Sequence, residues 1–408
     1  MRILWLKTEL LHPLDKGGRI RSYQMLRHLK REHEITYLTL ENISDGAETR
    51  ERASEYCTRL VSVPWHEPGK FTARFYRDLL MNLASPLPYA IEKYRSAKMG
   101  LAISREMNER SYDVVICDFL ASSINFPGGQ SCAAILFQHN VESTIWRRHY
   151  EAQTSRGKRA FFYYQWQKMR AYERAACRRF DAVVAVSELD RDRLRDEFTL
   201  TYVYDVPTGV DTAYFRPMGG TQNPFELVFT GSMDWLPNED AILHFAENIM
   251  PIISRTIPDV TLTVVGRNPG PALMRLARSN SRIKITGPVE DIRPYMDRAA
   301  ACVVPIRIGG GTRLKIYEAM AMAKAVISTR VGAEGLPVRD KKELLIADKP
   351  DDFAQAVIRV LKDAELANGL GRQACAVAYE RFGWERAAAR FAEVCAQVAG
   401  QRARYRAA

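Results

Sequence analysis

Residues 305–327 read PIRIGGGTRLKIYEAMAMAKAVI, and this stretch decides how the rest of the chain is interpreted. An apolar run at 299–304 predicts a strand, three successive glycines interrupt the chain shortly after it, and good helix formers resume at Arg313. Glycine lets a backbone approach a ligand closely because it has no Cβ. A helix that begins after such a loop points free N–H groups and a partial positive charge at it. The pattern therefore favours a loop that holds an anionic phosphate.

The residues that begin this helix have side chains that could bind a phosphate and sugar hydroxyls. Thr312 is a candidate N-cap, because its hydroxyl can accept a hydrogen bond from an N–H group of the first turn. Lys315 and Glu318 are three residues apart and share one helix face, which would bring an ammonium near a phosphate and a carboxylate near sugar hydroxyls. The pattern is equally consistent with a flexible glycine turn before a buried helix that contains an internal Lys–Glu ion pair.

Composition excludes several classes of protein. The chain has 408 residues, enough for two or three domains, and its 47% hydrophobic and 26% charged residues are those of an ordinary globular protein. It has no run of 18 apolar residues that would span a membrane, and Lys7 and Glu9 interrupt the apolar N-terminus, unlike in a signal peptide. Seven scattered cysteines without CxxC spacing predict a reducing cytoplasm, no disulfide framework and no structural zinc.

The first half of the chain alternates apolar strands with amphipathic helices, as in a parallel sheet with right-handed crossovers. Strands are predicted at 1–6, 35–40, 60–63, 113–118, 133–137 and 182–186, and the first helix at 19–31. Ligands collect at the carboxyl ends of such strands, where Gly17, Gly18 and His139 are expected. Histidine titrates near neutral pH and suits proton or hydrogen-bond chemistry. A plain glycine turn and a structural histidine fit the pattern as well.

The net charge of +11 is concentrated in one segment. Residues 146–179 contain ten Arg and Lys against two Glu, are interleaved with aromatic side chains, and predict one long helix. A second basic and aromatic segment occupies 71–99. Such segments are typical of helices that lie on anionic lipid. The alternatives are a groove for single-stranded nucleic acid and a solvated basic face over an aromatic core.

The second half of the chain repeats the alternation after a linker. Residues 207–217 combine turn and breaker residues without periodicity. Short apolar strands that end at Gly or Pro follow at 227–230, 260–265, 283–286, 301–305 and 326–329, and a basic amphipathic helix is predicted at 384–404. The predicted fold class is α/β, with two doubly wound, Rossmann-like domains that face a central cleft. Their predicted bounds are 1–206, a hinge at 207–217, 218–385, and a C-terminal helix at 386–408 that crosses back.

Several motifs together resemble the GT-B glycosyltransferases of family 4, which are retaining enzymes. In the second half these are FTGSMDWLPNED (229–240), VVGRN (264–268), GPVEDIRPYM (287–296) and the block at 305–329. In the first half they are GGRIRS (17–22) and QHN (138–140), and PTGVDTAYFRP matches the family's hinge. The motif FTGSMDWLPNED is especially similar to that of a subgroup whose genes lie beside bacterial exopolysaccharide and exosortase loci. The resemblance covers nearly the whole chain and implies the GT-B fold.

The resemblance also implies roles for single residues. Catalytic roles fall to His139, Glu318 and Gly18. The histidine should hydrogen-bond the transferring sugar near its anomeric centre, and the glutamate should bind the ribose hydroxyls. The residues implied in donor binding are Gly17, Gly18, Gly231, Ser232, Arg267, Gly310, Gly311, Thr312, Arg313, Lys315 and Glu318. Those implied on the acceptor side are Arg19, Arg21 and Asn140. Cations at the loop would neutralise the departing diphosphate, and no metal or other cofactor is expected.

The chain departs from the family pattern in two places. The family's paired glutamates are eight residues apart, but the residue eight before Glu318 is Gly310. The basic pair that often follows the first strand of the second domain is absent, because Gly231 is followed by SMDWLPNED. Arg267, Arg313 and Lys315 are the predicted substitutes for those cations.

The predicted function is transfer of a hexose from a nucleoside-diphosphate sugar to a glycan or polyprenyl-linked acceptor, with retention, in bacterial exopolysaccharide biosynthesis. The protein is expected in the cytoplasm and peripherally on the inner face of the membrane, bound to the anionic surface through 71–99 and 146–179, with no nucleic-acid partner. The alternative is a catalytically weak nucleotide-sugar-binding subunit of a polysaccharide assembly system, which Gly310 favours. A GT-B-fold epimerase and a nucleic-acid binder fit the motifs less closely.

Overall fold

The structure is a computed structural model. It describes residues 1–43, 45–66, 69, 72–129, 131–309 and 313–407, with only the helical backbone for 405–407. The chain divides into two units. The first consists of Met1–Pro207 together with Ala387–Ala408, and the second of Thr208–Arg386. The chain therefore leaves the first unit once and returns to it with its last helix.

The first unit is built on a parallel sheet of seven strands in the order β3-β2-β1-β4-β5-β6-β7. The strands are β1 (Arg2–Lys7), β2 (Glu34–Asn42), β3 (Arg59–Trp65), β4 (Val114–Asp118), β5 (Ala133–Phe137), β6 (Ala182–Ala185) and β7 (Val203–Asp205). The central strands are apolar and fully buried, as expected for a parallel sheet covered on both faces. β1 pairs with both β2 and β4, so the strand order reverses beside β1. Ligands bind at such switch points, at the carboxyl ends of the strands.

The connections of the first unit are mainly helical. The helices are α1 (Gly17–Leu29), α2 (Ala47–Glu51), α3 (Ala73–Asn82), α4 (Tyr89–Glu92), α5 (Ala97–Glu109), α6 (Glu142–Glu151), α7 (Arg156–Cys177) and α8 (Glu188–Phe198), with 3₁₀ turns at Arg52–Glu55 and Leu120–Asn125.

Two helix predictions in this unit are wrong. Gly17 and Gly18 are not a turn before the first helix but its first two residues. The first turn of a helix tolerates them because its N–H groups have no partner within the helix in any case. The basic segment at 146–179 is not one helix but the hairpin α6–α7, broken at residues 152–155. The break contains Gln153, Thr154 and Ser155, and short hydroxyl side chains compete with the helix for backbone hydrogen bonds.

The α6–α7 hairpin packs largely through its aromatic side chains. Tyr150 stacks on Trp166 with ring centroids 5.8 Å apart, and His149 stacks on Phe162 at 5.5 Å. The aromatic side chains therefore pack on one another between the two helices, but these four are only partly buried and do not form a core. Tyr163, by contrast, is 47% exposed, so the hairpin also presents aromatic surface to solvent.

The second unit repeats the same topology. Its parallel sheet has the order β10-β9-β8-β11-β12-β13, with the switch point between β8 and β11. The strands are β8 (Asn223–Thr230), β9 (Thr261–Val265), β10 (Ile283–Ile285), β11 (Ala299–Val304), β12 (Ala325–Ser328) and β13 (Leu345–Ile346). The helices are α9 (Leu236–His244), α10 (Met250–Thr256), α11 (Pro271–Ser279), α12 (Arg293–Arg298), α13 (Leu314–Ala321), α14 (Pro350–Lys362) and α15 (Ala364–Arg381), with a π-helical turn at Phe245–Ile249 between α9 and α10. The last helix of the chain, α16 (Trp384–Ala407), belongs to the first unit from Ala387 onward. The α/β class with two doubly wound parallel sheets is confirmed.

The last helix, α16, completes the core of the first unit. Phe391 is fully buried and lies 5.6 Å from the ring of Trp5 on β1 and 4.9 Å from Phe137 at the end of β5. Arg402 forms an ion pair with Asp181 at 2.9 Å. Within the described ranges, no helix combines the length and the apolar composition needed to cross a membrane.

Candidate functional site

A buried carboxylate, Asp118 at the end of β4, is the centre of a polar cluster in the first unit. Its side chain is 0% exposed. Its Oδ2 accepts hydrogen bonds from Trp5 Nε1 at 3.0 Å, Lys7 Nζ at 2.9 Å and Ser22 Oγ at 2.5 Å. Its Oδ1 lies 2.6 Å from His139 Nε2. One carboxylate thus contacts four polar side chains, three of them on one oxygen.

The topology of the sheet explains why these residues meet. Lys7 is the last residue of β1, Asp118 is the last residue of β4, and His139 follows β5 by two residues. These three strands are neighbours in the sheet, and the carboxyl ends of parallel strands lie along one edge. Ser22 comes from α1, which begins above the same edge.

The cluster combines a charged carboxylate with a neutral imidazole. Burial opposes ionisation of Asp118, but the Lys7 ammonium and His139 outweigh it and hold the pKa of the carboxyl well below its ordinary value. Burial lowers the pKa of His139 to about 3, against the opposing effect of Asp118, and the Arg21 and Lys7 charges lower it further. His139 is therefore uncharged near neutral pH, and its ring can donate at one nitrogen and accept at the other.

Phe119, directly after β4, positions both His139 and Gly18. Its backbone has φ 70° and ψ 151°, a conformation that costs a non-glycine residue roughly 1–3 kcal/mol. The ring stacks on the His139 imidazole with centroids 3.8 Å apart, and Lys7 Nζ lies 4.2 Å from its centroid. A Cβ at Gly18 would come within 2.7 Å of Phe119 Cζ. The side chain of Phe119 is thus a reason, independent of any ligand, why residue 18 is glycine.

A second buried carboxylate, Glu173 on α7, fixes the segment that carries His139. It accepts hydrogen bonds from the N–H groups of Glu142 at 2.8 Å and Ser143 at 2.9 Å, and from Gln138 Nε2 at 3.1 Å. The two N–H groups belong to the first turn of α6, which needs external acceptors. Burial raises the pKa of Glu173 to about 7, although these donors favour its ionised form. The next residue after the histidine, Asn140, donates to Glu142 at 3.4 Å.

The two arginines predicted on the acceptor side differ in their surroundings. The Arg19 guanidinium forms ion pairs with Glu9 at 2.7 Å and Asp15 at 3.4 Å, in the loop before α1. Arg21 is buried and close enough to His139 to lower the pKa of that imidazole. Gly17, which precedes Gly18, is exposed. The structure thus brings Arg21 close to the histidine, places Gly18 against the Phe119 ring and directs Arg19 to the preceding loop.

In the second unit, a partly buried lysine from α13 lies beneath the end of β8. Lys315 Nζ donates to Asn238 Oδ1 at 2.9 Å and lies 3.7 Å from the centre of the Phe229 ring. A Cβ at Gly231 would come within 2.8 Å of Lys315 Nζ and 2.7 Å of Asn238 Nδ2. Gly231 also has φ 147°, so glycine is required here by both backbone and space.

A hydrogen-bond network holds the loop after Gly231. Arg267 Nε donates to Ser232 Oγ at 3.0 Å, and Asn238 Nδ2 donates to the Ser232 carbonyl at 2.8 Å. The Ser232 hydroxyl donates to Asp234, which also accepts from Asn268 at 3.2 Å. Arg267, which follows β9, therefore brings a cation beside the serine of this loop.

Arg313 precedes α13 and is almost fully buried. Its guanidinium carbon lies 5.1 Å from the Trp235 ring, a distance typical of cation–π contacts. A Cβ at Gly309 would come within 2.5 Å of its Nη2. The helix N-cap is Arg313 in extended conformation, not Thr312, and α13 begins at Leu314. Gly310, Gly311 and Thr312, all predicted donor ligands, lie outside the described residues.

Lys315 and Glu318 have strongly perturbed acid–base properties. Burial, followed by the charge of Arg313, lowers the pKa of Lys315 to about 7. Burial raises the pKa of Glu318 to about 7, opposed by Lys315. In the part of the chain that the structure describes, no hydrogen bond joins the two side chains, because Lys315 donates to Asn238 instead. An internal Lys–Glu ion pair is therefore not the arrangement at this site. Such perturbed groups mark candidate functional sites.

Several residues of these two clusters were not predicted from the sequence. In the first unit they are Asp118, Lys7, Ser22 and Phe119, and in the second Asn238 and Trp235. One signal was available. Asp118 and Lys7 are charged residues that directly follow apolar runs at the ends of their strands, where the sheet topology places functional groups.

Comparisons with known proteins agree with this architecture. A family model described as "Glycosyltransferase Family 4" matches residues 16–214, and one described as "Glycosyl transferases group 1" matches residues 224–363. A relative from Klebsiella pneumoniae, "Uncharacterized 44.6 kDa protein in cps region", is 20% identical over 89% of this chain and 91% of its own length.

Solved structures show the same fold at low identity. Sucrose-phosphate synthase from Thermosynechococcus elongatus superposes with a TM-score of 0.72 at 17% identity, covering 98% of this chain and 99% of that one. HepE from Anabaena, solved in complex with UDP and glucose, gives a TM-score of 0.65 at 14% identity, covering 97% of this chain and 99% of that one. At these identities the likeness shows the GT-B fold alone.

The contact between Gly18 and Phe119 leads to a prediction about stability. Gly18→Ala should destabilise the first unit by roughly 1–3 kcal/mol, because the added methyl group overlaps the Phe119 ring. The additional change Phe119→Leu should recover most of this loss, since leucine lacks the Cζ atom. Urea unfolding of both variants measures the effect.

The matched control is Gly157→Ala. Gly157 is the second residue of α7, as Gly18 is of α1, but a Cβ there would meet no atom within 4 Å. It should be neutral or stabilising by about 0.5–1 kcal/mol. Equal destabilisation by the two alanines would show that helix position, and not Phe119, is responsible.

Proposed function

Because this chain belongs to glycosyltransferase family 4, we propose that it transfers a hexose from a nucleoside-diphosphate sugar to an acceptor hydroxyl with retention of configuration. One observation carries the proposal: three cations of the second unit lie around the loop that follows β8. Lys315 lies under that loop, Arg267 donates to its serine, and Arg313 lies against its tryptophan.

This arrangement provides the charge that diphosphate departure requires. Negative charge develops on the leaving phosphate oxygen, and cations that are already in position stabilise it without reorganisation. The basic residues often found after the first strand are missing here, and Lys315 takes over from a different element. It can do so because Gly231 has no side chain and leaves room for the ammonium. Glu318, one helical turn further along α13, is proposed to bind the ribose hydroxyls.

The reaction step follows from these roles. The bond between the anomeric carbon and the phosphate oxygen breaks, and the acceptor oxygen forms a new bond to that carbon on the same face. The acceptor proton passes to the departing phosphate, so no separate protein base is required. His139 is proposed to hydrogen-bond the transferring sugar. The proposal includes no metal ion, so turnover should persist in the presence of EDTA.

The nature of donor and acceptor is proposed from the relatives. HepE was solved with UDP and glucose, which supports a nucleoside-diphosphate hexose as donor. The Klebsiella relative is described as lying in a cps region, which supports a glycan or polyprenyl-linked acceptor in exopolysaccharide biosynthesis.

A lipid-linked acceptor would bring the protein to a membrane, and the α3 surface suits that location. We define the α3 patch as Tyr76, Leu80, Met81 and Leu83, which are 52%, 68%, 69% and 45% exposed. Arg74 and Arg77 lie on the same helix, are largely exposed and share the single carboxylate of Asp78. Exposed apolar side chains with a surplus of cations fit an anionic lipid surface.

The α7 helix holds this patch in place. Gln165 Nε2 donates to Asn82 Oδ1 at 2.8 Å, and Lys168 Nζ donates to the Asn82 carbonyl at 2.6 Å. The Tyr164 hydroxyl donates to the Leu83 carbonyl at 2.7 Å. The predicted membrane segments 71–99 and 146–179 are therefore joined by specific hydrogen bonds at this point. We propose that they bind the inner face of the membrane together.

The central prediction concerns donor turnover. Wild-type protein should release nucleoside diphosphate from one member of a panel of UDP-, GDP- and ADP-hexoses, and release should increase when bacterial lipid extract is added. Glu318→Gln should abolish or strongly reduce it, whereas Glu365→Gln, an exposed position on α15, should not. Saturable donor binding without release under any condition would favour the nucleotide-sugar-binding subunit. Absence of donor binding would exclude both functions.

A second prediction follows from the lowered pKa of Lys315. The ammonium form, which an anionic diphosphate binds best, is lost as pH rises through about 7. Between pH 6 and pH 8 the wild type should therefore lose up to about tenfold in nucleoside-diphosphate affinity relative to Lys315→Met. Isothermal titration at several pH values measures this, and titration of the ligand itself affects both proteins alike. Lys362→Met, at an exposed lysine at the end of α14, should behave as wild type.

A third prediction tests the α3 patch. Leu80→Asp combined with Met81→Asp should weaken binding to anionic phospholipid vesicles at least about tenfold, because two apolar side chains no longer enter the lipid. Leu101→Asp is the control, since Leu101 is 71% exposed but lies on α5. Vesicle co-sedimentation measures both. An equal effect of the two substitutions would exclude the α3 patch as the membrane surface.

A further inference from the structure

We propose that Asp118 is a positioning residue that holds His139 in one tautomer, with the proton on Nε2 and a lone pair on Nδ1. The proposal deepens the proposed function, because it rests on His139 facing the donor sugar. It adds a direction to that contact: a sugar hydroxyl that meets Nδ1 must donate its hydrogen, since the nitrogen can only accept.

The two carboxylate oxygens of Asp118 contact different groups. Oδ2 is occupied by the indole N–H of Trp5, the ammonium of Lys7 and the hydroxyl of Ser22. Oδ1 faces the imidazole, 2.6 Å from His139 Nε2. Because three donors hold one oxygen, the carboxylate cannot turn, and the other oxygen is kept in place against the ring.

The position of the proton follows from this contact. An ionised carboxylate oxygen carries only lone pairs, and at 2.6 Å a nitrogen lone pair would repel it. A hydrogen on Nε2 turns the same distance into an attraction. The imidazole is neutral near pH 7, with the cations Lys7 and Arg21 close by and burial opposing protonation. It therefore carries a single proton, and Nδ1 has none.

The substitution Asp118→Asn should reverse the tautomer. The three donors from Trp5, Lys7 and Ser22 still need an acceptor, so the amide oxygen must take the place of Oδ2. The amide nitrogen then takes the place of Oδ1 and points its hydrogens at His139 Nε2. To accept them, Nε2 must lose its proton, which moves to Nδ1.

The direct test is ¹⁵N NMR of protein labelled at the histidine rings, with the His139 signals assigned by their loss in His139→Gln. Wild type should show the Nε2–H form of His139, and Asp118→Asn the Nδ1–H form. Ser22→Ala is the matched control, because it removes one donor from Oδ2 without changing the atom that faces the histidine. It should keep the wild-type tautomer. An Nδ1–H form in the wild type would overturn the proposal.

Kinetics provide the second readout. Asp118→Asn should lower kcat by at least about tenfold while it keeps the fold, as expected when an orienting partner of a functional histidine is lost. Inverted tautomer with unchanged kcat would overturn the proposal. If the neutral amide leaves Lys7 too poorly compensated for folding, the double variant Lys7→Met with Asp118→Asn removes that charge. Should the wild type turn over no donor at all, the proposed function fails, while the NMR measurement still decides whether Asp118 sets the tautomer.

Discussion

Burial of a charged carboxylate is the constraint on which the first unit depends. An ionised group in a protein interior is tolerated only when hydrogen-bond donors surround it, because desolvation alone costs several kcal/mol. Asp118 meets this condition with donors from β1, from α1 and from the segment after β5. The register of those elements is therefore fixed by a charge as well as by apolar packing. The ring of Phe119, the residue directly after Asp118, in turn requires glycine at position 18.

The second unit has a charge of the opposite sign at the corresponding place in its sheet. There a partly buried cation, Lys315, is held by one amide oxygen and the face of Phe229. A single acceptor and a ring compensate an ammonium less completely than four polar groups compensate Asp118. The lysine consequently has a lowered pKa. This suits a group whose charged form an anionic ligand would stabilise. The two units thus differ in that the protein itself compensates the charge of Asp118, whereas it compensates the charge of Lys315 only in part.

Structural features that depend on the local sequence pattern could be predicted from the sequence. Apolar runs that end at Gly or a charged residue located most strands, but β7 and β13, with three and two residues, are too short to show a period. The start of α1 and the break between α6 and α7 were missed because helix ends depend on small differences in backbone hydrogen bonding. The Asp118 cluster could not be read from spacing. Asp118 is about a hundred residues from Lys7 and Ser22 in the chain, and only the strand order brings them together.

The return of α16 to the first unit has a consequence for how the protein is made. Phe391 fills the space beside Trp5 and Phe137, yet it is synthesised some 250 residues after the last strand-bearing segment it packs on. A ribosome releases the chain from its N-terminus, so the second unit can close its core while the first still exposes this aromatic site. The first unit is therefore translated before the second, but its core is completed later. Its core is complete only once α16 has left the exit tunnel.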